Sequence, residues 1–102
     1  MELRALQREA DAIIHRFDDG YWPPLANLAR LAEEVGELAR ALSQEGGYKR
    51  RKAGETAADV ALEIGDVLFT LAVLANQCGV DLGDSAEKVL AKYRMRDLDG
   101  QA

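Results

Sequence analysis

Leu3, Leu6, Ala10, Ile13, Ile14 and Phe17 recur at helical spacing, which predicts an opening helix with one buried face. Asp18-Asp19-Gly20 interrupts the pattern, and Pro23-Pro24 suits the first turn of a second helix, where a proline gives up no needed N–H. That helix carries Leu25, Leu28, Leu31, Ala32, Val35, Leu38, Ala39 and Leu42 on one side. It is predicted to run from about residue 25 to 45 and to stop at Gly46-Gly47. Residues 46–55 hold Lys49-Arg50-Arg51-Lys52 between glycines and read as an exposed basic loop. A third helix is predicted from Thr56, with Asp59 completing a capping arrangement, through Val60, Ile64, Val67, Leu68, Leu71, Leu74 and Ala75 to Gly79. Leu62, Phe69 and Val73 make its far side apolar too, so it should be buried nearly all round. Asp84 with Glu87 signals a short fourth helix, striped by Ala86, Val89, Leu90 and Tyr93. With no strand pattern, the expected fold is all-α, a four-helix bundle over residues 1–98 completed by oligomerisation, with a loose tail at 99–102.

Composition narrows the function classes. A chain of 102 residues buries a modest fraction of its surface, yet 48% of it is hydrophobic, enough for a core and for a subunit interface. A net charge of −5 argues against non-specific binding to nucleic acid or to an anionic membrane, and a polyanionic ligand would need a cation to bind. The single cysteine, Cys78, lies in an apolar run and reads as a small core residue. The first residues lack the apolar core of a signal peptide, and no charge-free apolar run is long enough to span a bilayer, so a soluble, cytoplasmic protein is expected.

One stripe resists the description of a buried apolar helix. At 100° per residue, Asp59, Glu63, Asp66 and Thr70 fall within about 60° of one another on the third helix. No lysine or arginine occurs between Ala53 and Glu87 to pair with these acids along the helix, and burying them unpaired would be costly. On the second helix, Glu33, Glu34 and Glu37 have a simpler explanation, because Arg30 can reach Glu33 or Glu34 and Arg40 can reach Glu37 on a solvated face.

An internal repetition shifts the weight towards chemistry. Glu34-Val35-Gly36-Glu37-Leu38 recurs 29 residues later as Glu63-Ile64-Gly65-Asp66-Val67. Each copy tolerates a mid-helix glycine, which costs on the order of 1 kcal/mol against alanine and calls for a reason such as close helix approach. Packed antiparallel, the two helices would gather four carboxylates that repel one another unless a cation neutralises them. Oxygen-only ligands select Mg²⁺ or Mn²⁺ before zinc, and a chain with one histidine and one cysteine cannot build an ordinary zinc site.

These residues resemble the MazG-like, all-α nucleotide pyrophosphohydrolases, whose signature is EExxE followed after a gap by ExxD. Glu33-Glu34-Val35-Gly36-Glu37 matches the first half and Glu63-Ile64-Gly65-Asp66 the second, with 25 residues between Glu37 and Glu63. The likeness extends to Trp22-Pro23-Pro24, the turn from Asn76 to Asp81 and the closing Lys92-Tyr93-Arg94-Met95-Arg96. It implies hydrolysis of a nucleoside triphosphate to the monophosphate and pyrophosphate, with Mg²⁺ held by Glu34, Glu37, Glu63 and Asp66. A metal there can neutralise the triphosphate and acidify a bound water. Glu33 is then the candidate to position or deprotonate that water, unless it pairs with Arg30.

The remaining candidates each have a plainer alternative. Lys92 and Arg96, one turn apart, look like the family's late basic motif that touches phosphates, although cations also favour a helix C-terminus. Trp22 could stack on a base or simply staple the start of the second helix. Asn76 could read the nucleotide or cap neighbouring backbone. Lys49 to Lys52 could recruit phosphate or merely be solvated, and His15 reads as an ordinary packed or surface histidine. Phosphoribosyl-ATP pyrophosphohydrolase is the nearest enzyme alternative. It is disfavoured because Asp66 is followed by Val67-Leu68-Phe69-Thr70 where that branch carries a tyrosine-histidine pair. A non-catalytic helical oligomerisation module is the alternative from another class, and the unpaired stripe counts against it.

Overall fold

The computed structural model describes residues 1–47, 50, 52–54 and 59–98, and at 97 and 98 the backbone only. It contains four α-helices: α1 (Leu3–Ile14), α2 (Pro24–Glu45), α3 (Val60–Gln77) and α4 (Leu82–Leu98). The all-helical expectation holds.

Helix ends follow local chemistry, with two shifts from the sequence pattern. α3 starts at Val60 because the Asp59 carboxylate accepts the Leu62 N–H at 3.1 Å; Thr56, the expected start, lies outside the described residues. α4 starts a turn earlier than Asp84 suggests. Asp81 accepts the Asp84 N–H at 2.9 Å, which puts Asp84 inside the first turn. Between these helices Gly79 sits at φ +66°, Val80 N–H reaches back to Ala75 O at 2.9 Å and Gly79 N–H to Asn76 O at 3.2 Å. That pair of bonds closes a helix and requires the left-handed conformation glycine adopts readily.

α2 packs lengthwise on α3, α1 also packs on α3, and α4 meets α1. The core is small: Ala10 and Ile14 of α1 meet Ala72 and Val73 of α3, with Leu6, Tyr21, Phe69 and Leu82 around them. A polar seam extends it. The buried Gln7 donates to Asn76 Oδ1 at 3.0 Å and to Val80 O at 2.8 Å, and its Oε1 accepts the Leu82 N–H at 2.9 Å. A buried amide with every group bonded stabilises one arrangement over its alternatives, and this one joins α1, the end of α3 and the start of α4.

Several expected burials do not occur within one chain. α1 ends before Phe17, which is 63% exposed rather than on the core face. α3 buries only Thr70, Ala72, Val73 and Ala75, while Leu62 is 62% exposed and Ile64, Leu68 and Leu71 are exposed as well. Cys78 is exposed at the end of α3 instead of buried. Among the described residues, no atom beyond the chain neighbours and the helix's own backbone lies within 4 Å of where a Cβ on Gly36 or Gly65 would sit, so close approach of another described helix does not explain either glycine. The physical reason is common to all: the radius of gyration is 16.8 Å, against about 13 Å for a compact chain of this length. By length and mean hydropathy (1.4) α3 could cross a bilayer, but it carries Glu63 and Asp66 unpaired, which a lipid environment penalises heavily.

Candidate active site

The antiparallel contact of α2 and α3 sets the site. Near one end Asn27 Nδ2 donates to Gln77 Oε1 at 2.7 Å, which holds the two helices in register through the buried Asn27. About two turns further along α2, that register brings Glu34 beside Glu63 and Asp66 of α3. One carboxylate oxygen from each of the three lies within 4.8 Å of the others. Glu34 and Glu63 are half-buried and Asp66 is exposed.

The acidic stripe of α3 divides by use. Asp59 caps the helix and the buried Thr70 hydroxyl bonds back to Asp66 O at 2.9 Å, so both ends of the stripe serve the backbone. The middle pair does not. Among the described residues, Glu34, Glu63 and Asp66 take part in no ion pair and no side-chain hydrogen bond. Burial pushes the Glu34 carboxyl above its ordinary range, and the negative charges of Asp66, Glu63 and Glu37 push it further, with Arg30 opposing them. Three oxygen ligands with no ion-pair partner among the described residues suit a hard divalent cation.

Glu37 stands apart from this cluster. Its carboxylate is 3.0 and 3.1 Å from two guanidinium nitrogens of Arg40, the ion pair that helical spacing allows. The structure thus brings three of the four expected carboxylates together. Glu33, next to Glu34 but about 100° round the helix, is exposed and outside the cluster.

A cavity of about 180 Å³ is lined by Ile14, Phe17, Asp19, Gly20, Trp22, Asn27 and Arg30. Trp22 is held by its backbone, since its carbonyl accepts from Gln77 and from Asn27. Its half-exposed ring faces the Arg30 guanidinium at 5.9 Å. Arg30 precedes Glu34 by one helical turn and so joins the cavity to the acidic cluster. Arg30, Asp19 and Phe17 were not anticipated as lining residues. Arg30 could have been found, because four residues before Glu34 means the same face of α2; the placement of Asp19 and Phe17 depends on how the chain turns at Gly20 (φ +61°), which spacing does not encode.

Other predicted residues lie elsewhere. The Asn76 amide donates to Gln7 O at 2.9 Å and Tyr21 Oη at 3.3 Å, and its oxygen accepts from Gln7. Tyr21 in turn donates to Asp11 at 2.6 Å; burial first, then this bond, pushes its phenol above the ordinary value. Lys92 and Arg96 of α4 each sit 5.1 Å from the Tyr93 ring. His15 is a surface residue whose Nδ1 lies 2.8 Å from Asp11 O. Of the basic loop, Arg50 and Lys52 are exposed, and Lys49 and Arg51 lie outside the described residues.

The model of the MazG nucleotide pyrophosphohydrolase domain matches residues 23–100 of this sequence. The chain belongs to the MazG nucleotide pyrophosphohydrolase family. It is 43% identical over 97 residues to the uncharacterised protein YpjD of Bacillus subtilis strain 168, covering 95% of this chain and 87% of that protein. The crystal structure of B. subtilis YpjD, a candidate pyrophosphatase, superposes with TM-score 0.79 at 42% identity over 91% of this chain and 95% of that one. That of a Bacillus-conserved MazG protein, a nucleotide pyrophosphohydrolase, gives 0.77 at 38% identity over 91% and 90%. This MazG chain is accordingly a hydrolase of phosphoanhydride bonds with a nucleotide substrate. Both matched structures share its four-helix fold.

Proposed function

We propose that this MazG-family chain hydrolyses a nucleoside or deoxynucleoside triphosphate to the monophosphate and pyrophosphate in a Mg²⁺-dependent reaction, Mn²⁺ substituting. The observation that carries the reading is the uncompensated carboxylate cluster of Glu34, Glu63 and Asp66, together with the cavity lined by Trp22 and Arg30. Those three residues would hold the cation, with Glu37 joining them by turning away from Arg40, a change confined to one side chain. When bound, the metal would offset phosphate charge and make a water acidic enough to attack.

The chain's own groups have separable tasks. Trp22 stacks on the base, and Arg30, between cavity and acids, neutralises the phosphates nearest the sugar. Glu33, exposed and unpaired with Arg30, takes the proton of the water that attacks the α-phosphorus. Asn76 serves indirectly, holding Tyr21 and so the segment leading to Trp22. The apolar faces left open on α2, α3 and α4 are covered by further copies, giving a dimer or tetramer. The acidic charge and the free Cys78 suit a cytoplasmic nucleotide pool.

The test is product analysis on a panel of ribo- and deoxynucleoside triphosphates and phosphoribosyl-ATP, with Mg²⁺, Mn²⁺ or chelator. Metal-dependent release of pyrophosphate with monophosphate is expected. Release of inorganic phosphate with diphosphate, or equal turnover in chelator, would overturn the proposal.

A further inference from the structure

Among the residues that line the cavity around Trp22, Asn27 alone is both polar and almost wholly buried, at 3% exposed. Its bonds fix which end of the amide is which. The Trp22 carbonyl can only accept, so the Asn27 atom facing it at 3.4 Å is Nδ2. The other Nδ2 hydrogen goes to Gln77 Oε1 at 2.7 Å, and Gln77 is oriented in turn because its own Nε2 donates to the same Trp22 carbonyl. Both Asn27 donors are thereby spent. Its Oδ1 accepts nothing among the described residues, yet none of their fully covered side-chain oxygens lacks a partner, so Oδ1 opens onto the cavity that Asn27 lines. The amide cannot turn over without setting its oxygen against the Trp22 carbonyl, which makes Oδ1 a locked acceptor.

The rest of the lining does not offset that polarity. Ile14 and Phe17 offer apolar side chains, Asp19 adds a carboxylate that also accepts, and the Gly20 N–H is spent on Phe17 O at 3.1 Å. Arg30 is the charged donor, and it lies one helical turn from Glu34, towards the acids. The indole N–H of Trp22 lies in the plane of a ring that stacks on the base, so it does not point at the base's edge. Asn27 precedes Glu34 by seven residues, two turns along the same face of α2 and about 10 Å of axis, a length that a sugar and its first phosphate span. A base stacked on Trp22 therefore meets acceptors, and an acceptor left unpaired at a buried position is costly.

We infer that Asn27 determines which bases this site takes: its locked Oδ1 accepts a hydrogen bond from the exocyclic amino group of cytosine or adenine and disfavours uracil and thymine, which carry a carbonyl oxygen at the corresponding position. This rests on the triphosphate reading above and on the stacking of the base on Trp22. Gln77 is a positioning residue, because it touches no base and holds the Asn27 amide in the orientation that makes it an acceptor.

Two substrate pairs test the assignment on the unaltered protein. Pyrophosphate release with Mg²⁺ is measured for dCTP against dUTP, which differ at the 4-position in amino group against oxygen, and for dATP against the purine analogue with hydrogen in place of the 6-amino group. The amino-bearing member of each pair should be favoured by about 10- to 100-fold in kcat/KM, the usual consequence of leaving a buried polar group without its partner. Asn27→Leu should bring both ratios close to one. Gln77→Met should lower them by less, since it frees the amide to turn without removing it. A purely structural role would slow both members of a pair alike and leave the ratio where it was. Should Asn27→Leu fail to fold, the wild-type pairs and Gln77→Met still decide. Equal turnover within the pairs by the wild type, or ratios unchanged in the folded variants, would overturn the role of Asn27 and leave the pyrophosphohydrolase reading intact. Absence of pyrophosphate from all four substrates would instead remove that reading, and this inference with it.

Discussion

Two groups of acids in this small chain have opposite fates. At the junction of α1 and α4, Asp81 accepts backbone N–H groups and the Arg4 guanidinium, and these bonds, the Asp84 N–H foremost, hold its carboxyl below the ordinary range. Between α2 and α3, Glu34, Glu63 and Asp66 converge with no such partners, and Glu34 is held above its range. The first group favours its charged form in the folded chain and holds a helix in place. The second makes folding harder without a ligand. On the proposed reading, a cluster that opposes stability has its reason in binding, because a bound cation and its phosphates would supply the missing counter-charge.

The sharpest way to break this contrast is to remove one acid from the uncompensated group. Glu63→Gln or Asp66→Asn should lower kcat by more than the roughly 10- to 100-fold typical of residues that merely orient a ligand, with far-ultraviolet circular dichroism unchanged. Wild-type turnover in either purified variant would contradict the contrast. Next in size is the metal's effect on stability. Saturating Mg²⁺ should raise the melting temperature over chelator by several degrees, as expected for about 2.7 kcal/mol at a hundredfold excess over Kd. Glu34→Gln should raise the melting temperature in chelator at neutral pH, since it removes a repelled charge, and should shrink the Mg²⁺ increment. Equal melting in both conditions would show that no cation binds there.

A third experiment moves along the site. Trp22→Ala should raise KM by the equivalent of about 1 to 3 kcal/mol, the usual worth of base stacking, and leave kcat nearly unchanged. Loss of kcat alone would place Trp22 outside base recognition. The smallest effect belongs to the compensated group. Because the folded state lowers the Asp81 pKa, its stabilisation is present above the ordinary carboxylate value and is lost as pH falls through the lowered one. Melting of Asp81→Asn should therefore fall below wild type at neutral pH and converge on it by about pH 3, with the Mg²⁺ increment preserved. A difference that does not shrink in acid would mean that the charge of Asp81 is not what stabilises the helix start.

Much of the fold was legible because helices are local. The apolar periods, Pro24 and the glycine stops placed α2 to within a residue, and the paired acidic motifs marked the two helices whose carboxylates come together. Errors came where local signals compete. Asp84 and Glu87 offered a start for α4, but Asp81 took the cap, and the apolar Phe17 was assigned to a core that the chain leaves before reaching it. The MazG signature located Glu33, Glu34, Glu37, Glu63 and Asp66 in the sequence, yet it could not tell a carboxylate in the cluster from one paired with Arg40.

The sequence by itself determined four helices, a stripe of acids with no cation on its own helix, and a surplus of apolar surface, because each follows from the 3.6-residue period and from composition. Only the tertiary structure decided that Glu34 meets Glu63 and Asp66 while Glu37 does not, that Arg30 and Trp22 share a cavity, and that α4 leaves the core. Those outcomes depend on Asn27 bonding Gln77, fifty positions away, and on Gln7 tying α1 to Asn76, Val80 and Leu82, about seventy or more positions away. No pattern within one helix specifies such contacts, since they are set by which packing satisfies the buried amides of residues distant in the chain.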